Sequence, residues 1–221
     1  MSKGLTEVVF ILDRSGSMQG LEVDTIGGFN SVLAKQKQAR EEGADAVVTT
    51  VLFDGEYELL HDRFSLDSVE EISGEDYWVR GCTALLDAVG RTIKKTEAAQ
   101  KNLPEGKKAD KVLFVIITDG MENASQEFSY SQVKEMIKAH EEDNWEFLFL
   151  GANIDAAAEA ERIGIRRSRS ARYVPDGAGT AVSYESIGNA VRSAMCCECS
   201  EKFEVDEEWC GEILEDYENR G

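Results

Sequence analysis

Asp13, Ser15 and Ser17 stand within the run Asp13-Arg14-Ser15-Gly16-Ser17, and two further oxygen side chains, Thr83 in Gly81-Cys82-Thr83 and Asp119 in Thr118-Asp119-Gly120, stand at comparable junctions later in the chain. All five are hard oxygen donors. Such a set suits Mg²⁺, Ca²⁺ or Mn²⁺ and suits neither zinc nor copper. Two carboxylates would balance a divalent charge, while the three neutral hydroxyls would fill coordination positions without adding negative charge. The ion would stay strongly electrophilic. Taken singly, each piece also has an ordinary explanation: a polar turn for Asp13 and Asp119, a helix cap for Thr83.

The elements that must position these residues are legible in the apolar pattern. Val8-Val9-Phe10-Ile11-Leu12 is a continuous apolar run, which predicts a strand, Thr6 to Leu12, buried on both faces and delivering Asp13 to the carboxyl end of a parallel sheet. Further strands are predicted at Val47 to Phe53, Tyr57 to Leu60, Val112 to Ile117, Phe147 to Leu150 and Arg172 to Val174, the second of them returning antiparallel after the Asp54-Gly55 turn signal. Helical spacing predicts helices over Leu21 to Glu42, Thr83 to Ala98, Ser131 to Glu142, Ile154 to Ile163 and a segment containing Ile187, Val191 and Met195. Strands alternating with helices imply a doubly wound, Rossmann-like α/β fold: a mainly parallel six-stranded sheet with one antiparallel strand and helices on both faces. Ligands of such folds bind at the carboxyl ends of the strands, where all five oxygen side chains are expected.

DxSxS after the first strand, GxT before a long helix and TDG after a later strand resemble the von Willebrand factor type A family, over roughly residues 5 to 195. Within it, the closer likeness is to small stand-alone prokaryotic and phage proteins, including those associated with tellurite resistance. The resemblance implies a metal-ion-dependent adhesion site in which Asp13, Ser15, Ser17, Thr83 and Asp119 hold Mg²⁺ and a partner protein's Asp or Glu completes the coordination. It implies a binding module rather than an enzyme.

The residues leave one enzymatic alternative, a metal-dependent hydrolase or phosphatase in which Glu122 polarises a metal-bound water. A haloacid dehalogenase-type site would need an acid where Ser15 stands. His61 and His140 read as surface residues out of reach of Ser15 or Ser17, which removes a Ser/His/Asp triad. Gly27-Gly28 falls inside the first helix, where it is expected to permit close packing rather than to bind phosphate.

Five cysteines, three of them in Cys196-Cys197-Glu198-Cys199, make a poor disulfide framework and fit a reducing compartment. Cys196, Cys197, Cys199 and Cys210 are numerous enough for a structural zinc but lack paired CxxC spacing, so buried or free thiols are the expectation. With 43 acidic against 24 basic residues the formal charge is -19, which repels nucleic acid and anionic membranes. No signal peptide or membrane span is apparent, and a cytoplasmic protein, monomeric or weakly self-associating, is expected. The cationic run Arg162, Arg166, Arg167, Arg169 and Arg172 is read as a solvated loop. The domain is expected to occupy residues 1-197, and the acidic segment 198-221 to form a short helix packed upon it, its carboxylates being candidate internal ligands for the metal.

Overall fold

In the computed structural model, which describes residues 4–40, 44–140, 142–198 and 202–221, the strands are β1 (Leu5–Asp13), β2 (Asp45–Phe53), β3 (Tyr57–Ser65), β4 (Lys111–Thr118), β5 (Trp145–Gly151) and β6 (Ser170–Arg172). The helices are α1 (Glu22–Arg40), α2 (Leu85–Asn102), α3 (Tyr130–Ala139), α4 (Ala156–Arg162), α5 (Gly177–Cys196) and α6 (Gly211–Arg220). The sheet order is β3-β2-β1-β4-β5-β6, parallel throughout except that β3 runs against β2. This is the six-stranded doubly wound sheet that the alternating pattern implied.

The side chains of β1 alternate between two cores. Val8, Phe10 and Leu12 pack with residues of α1 and α5, whereas Val9 and Ile11 pack with residues of α2, α3 and α4. Both faces are thus dry, which is why the strand reads as unbroken apolar sequence. From β1 the chain winds toward β3 in one direction, and from β4 toward β6 in the other. The reversal falls between β1 and β4, where departing loops separate and leave a crevice. Leu12 lies opposite Ile117, so Asp13 and Thr118 emerge side by side.

Gly28 of α1 permits a close helix contact, since a Cβ there would fall 2.2 Å from the Tyr184 ring of α5. Its neighbour Gly27 faces open space and does not share that role. The segment 202–221 adds Phe203, Val205, Cys210 and Ile213 to the α1/α5 core, and α6 packs against α5 and β6 as an acidic helix with Ile213 buried.

Several boundaries move for identifiable reasons. β3 continues to Ser65 past irregular pairing near Thr50, so His61 lies within the sheet and is buried rather than superficial. β6 ends at Arg172 because that residue faces Gly151, the last residue of β5, and Tyr173 then turns into the core. α4 starts at Ala156, capped by the Asp155 carboxylate accepting from the Ala158 amide, rather than at Ile154. The expected start of the chain, the end of the first helix at Glu42 and Cys199 fall outside the described residues.

Candidate metal centre

Asp13 ends β1 with Ser15 and Ser17 just beyond it, Asp119 follows β4 at the carboxyl end of this neighbouring strand, and the loop before α2 brings Thr83 against Ser15. A 3₁₀ turn, Gly16–Met18, follows β1 and carries Ser15 and Ser17 back over the sheet. The Ser15 and Ser17 hydroxyl oxygens are 3.0 Å apart, and Thr83 Oγ1 donates to Ser15 Oγ at 2.9 Å. Gly120 lies against all three. A Cβ at Gly120 would sit 2.4 Å from Thr83 Oγ1, 2.8 Å from Ser17 Oγ and 3.2 Å from Ser15 Oγ, so the hydroxyls converge on a space that only glycine leaves open.

Hydrogen bonds hold the two carboxylates. Asp13 accepts from the Ser15 amide (2.6 Å) and from Thr118 Oγ1 (2.5 Å). Asp119 accepts from the Asn153 amide (2.5 Å) and Asn153 Nδ2 (2.7 Å). Burial pushes both carboxyls above the ordinary carboxylate range, against the lowering effect of these hydrogen bonds. Neither has an ion-pair partner among the described residues. The cation next in sequence is committed elsewhere: Arg14 is fully buried, with Nη1 2.6 Å from Glu58 Oε2 and Nε 3.3 Å from Asp54 Oδ2. Two buried carboxylates lacking positive charge, together with converging neutral hydroxyls, fit a hard divalent cation in both charge and donor type.

Backbone contacts join the loops. Gly16 N donates to Gly81 O, Arg80 N to Arg14 O, and Ala84 N to Asp54 O. Asn123 clamps Thr83 from the third loop, its Oδ1 accepting from Thr83 N at 2.9 Å while its own amide donates to Thr83 O. Tyr77, buried beneath the site, donates its hydroxyl to Asp13 O at 2.5 Å. Tyr77, Thr118, Asn153 and Asn123 carry no sequence signal of their own; only the position of Thr118 next to Asp119 pointed toward it. Thr83 is not the cap of α2, which starts at Leu85 after Ala84, a residue with no capping side chain.

Glu122 serves the helix that Thr83 does not cap. Its carboxylate accepts from Leu86 N, Ala124 N, Ser125 N and Ser125 Oγ at 2.7–2.9 Å. It is a structural acceptor with four donors. Within the cationic run Arg162, Arg166, Arg167 and Arg172 are exposed, whereas Arg169 is buried on Glu146 at 2.8 Å; Arg162 pairs with Glu159 and covers Tyr130, and Arg172 lies over Tyr217. His140 stacks on Trp145 with centroids 3.9 Å apart. Among the described residues no group of three or more His, Cys, Asp and Glu is placed to hold a metal, and Cys196, Cys197 and Cys210 form no such cluster. The segment carrying α6 is pinned at the sheet edge by Trp209 Nε1 donating to Ser168 O and Arg220 donating to Asp176, and among the described residues none of the α6 carboxylates bonds to the five site residues. No helix among the described residues is long and apolar enough to cross a membrane.

No protein-family model and no curated sequence matches the chain. Solved structures do match its fold. A von Willebrand factor type A protein from Catenulispora acidiphila aligns with a TM-score of 0.59 at 12% identity, over 86% of this chain and 43% of that one. The vWF domain of a type V pili tip protein from Porphyromonas gingivalis gives a TM-score of 0.62 at 10% identity, over 92% of this chain and 99% of that one. Proximal thread matrix protein 1 from the mussel byssus gives 0.54 at 14% identity, over 87% and 46%. The chain thus spans less than half the length of the first and third of these proteins. Its strand order, its single antiparallel edge and these alignments establish the doubly wound α/β fold of von Willebrand factor type A domains.

Proposed function

We propose that this chain is a protein-interaction module that holds Mg²⁺ through Asp13, Ser15, Ser17, Thr83 and Asp119 and captures a partner's Asp or Glu there. The observation that carries the reading is the pairing of two buried carboxylates, which have no side-chain ion-pair partner among the described residues, with three hydroxyls gathered against Gly120. When bound, the cation supplies an electrophilic centre that a partner carboxylate can reach. The protein's own contribution is positioning. Thr118 and the Ser15 amide fix the Asp13 carboxylate, Asn153 fixes Asp119, and Asn123 fixes Thr83. These contacts exist before any partner arrives, so little ordering accompanies binding. The type V pili tip protein shares this fold, and its domain covers nearly the same length.

The hydrolase alternative, which needs Glu122 as its base, has less support. A carboxylate that accepts four hydrogen bonds and caps α2 is committed to the fold, leaving Glu122 poorly suited to drawing a proton from water.

The test is metal-dependent stability. Mg²⁺ at ten times its dissociation constant should stabilise the wild type by about 1.4 kcal/mol in thermal or urea unfolding, and Asp13→Ala should abolish that response. An unchanged Mg²⁺ response in Asp13→Ala and Asp119→Ala would sink the assignment.

A further inference from the structure

The five exposed large apolar side chains among the described residues are Val23, Phe64, Trp78, Met121 and Leu214, and they are not scattered evenly. Trp78 precedes Thr83 on the second ligand loop, Met121 follows Asp119 on the third, and Val23 stands in the first turn of the helix that follows the first loop. Trp78 leaves 42% of its surface to solvent, yet it does not stand loose. The Arg14 guanidinium lies 5.3 Å from its ring centroid and that of Arg80 5.7 Å from it. Arg80 is in turn tied to Asp54 and Glu56 at 2.6 Å. The indole is therefore a rigid aromatic surface braced by cations from the site's own loops. Exposed, preorganised aromatic side chains next to a polar anchor are the usual energetic centres of protein interfaces.

Charge narrows the occupant. Around Trp78, Arg14 and Arg80 face Asp54, Glu56 and Glu58, a local excess of one negative charge, in a chain whose formal charge is -19. A second copy of so acidic a chain would be repelled, whereas a basic partner would be steered toward this face.

We infer that Trp78 and Met121 form an apolar rim that selects the partner, and that the partner is a cationic protein segment presenting an Asp or Glu with a large aliphatic side chain beside it. The carboxylate meets the metal and the aliphatic group covers Trp78. This rests on the metal-site reading above, which supplies the anchor for the carboxylate.

Synthetic peptides separate the two claims. Three short lysine-flanked peptides are compared, with leucine beside a central aspartate, with glycine in place of the leucine, and with asparagine in place of the aspartate. Binding is followed through the Trp78 indole NMR signal, in MgCl₂ and in EDTA. The expected result is that the leucine peptide binds at least about threefold more tightly than the glycine peptide, moves the Trp78 signal, and does so only with Mg²⁺. In Trp78→Ala the leucine preference should disappear, read by the peptide's own signals, while stabilisation by Mg²⁺ persists; Met121→Gln, which leaves the Arg14 bracing intact, should weaken the same preference. Equal binding of the leucine and glycine peptides, or no binding by any peptide, overturns the rim proposal. Equal binding of the aspartate and asparagine peptides, or binding in EDTA, overturns the metal reading itself.

Discussion

Gly120 shows how narrowly the centre is built. A methyl group there would press on the Thr83 and Ser17 hydroxyls at 2.4 and 2.8 Å, so Gly120→Ala must displace the very oxygens proposed to bind the ion. The variant should lose its Mg²⁺-dependent stabilisation while costing the metal-free protein about 1–3 kcal/mol, measured by urea unfolding in EDTA. Retention of the full Mg²⁺ response would mean that Ser17 and Thr83 are not ligands. His61 provides a second test away from the metal. Burial lowers its pKa from the ordinary 6.5, against the raising effects of Asp76 and Glu70. The unfolded chain therefore binds the proton more readily than the folded one, so stability contributed by neutral His61 is present above pH 6.5 and lost as pH falls below it. His61→Gln should flatten the stability profile in that window, and an unchanged slope would show that another group controls it.

At the level of elements, α2 depends on a carboxylate supplied by another loop. Ala84 offers no cap, and Glu122 instead accepts from Leu86 N while organising the Ala124 and Ser125 amides of its own loop. Losing such a charged acceptor at a helix N-terminus should destabilise Glu122→Ala by about 1–3 kcal/mol in chemical unfolding. A hydrolytic base would instead show its loss in turnover with unchanged stability. The same element explains why Thr83 was legible as a candidate ligand while its alternative role as a cap was not resolved: the spacing Gly81-Cys82-Thr83 announces a helix start, and only the loop packed across it shows that the start comes two residues later.

Across the whole molecule, residues 202–221 contribute to the core beside α5. Phe203, Val205, Cys210 and Ile213 are buried against α5 and its neighbours, and Arg220 ties α6 to Asp176, the cap of α5. Ile213→Ala should therefore cost about 2–5 kcal/mol, read as a shift of the urea midpoint. A cost below about 0.5 kcal/mol would mean that α6 packs only loosely on the domain.

The sequence alone carried the β-α alternation and the antiparallel hairpin, and it singled out the five oxygen side chains proposed as ligands, because hydrophobic periodicity and motif spacing are local properties of the chain. It misjudged His61 and Arg169, whose burial depends on a partner 23 residues away or on a strand longer than its pattern suggested. Tertiary structure supplied the full strand order and the contacts that bring Thr83 and Gly120 against Ser15 and Ser17, which no local signal encodes. It also decided that Arg14, next to Asp13 in the chain, turns to Asp54 and Glu58 and leaves the buried carboxylate without a cation. Sequence adjacency fixes which backbone atoms are near, but the direction of a side chain is set by the partners that folding places around it.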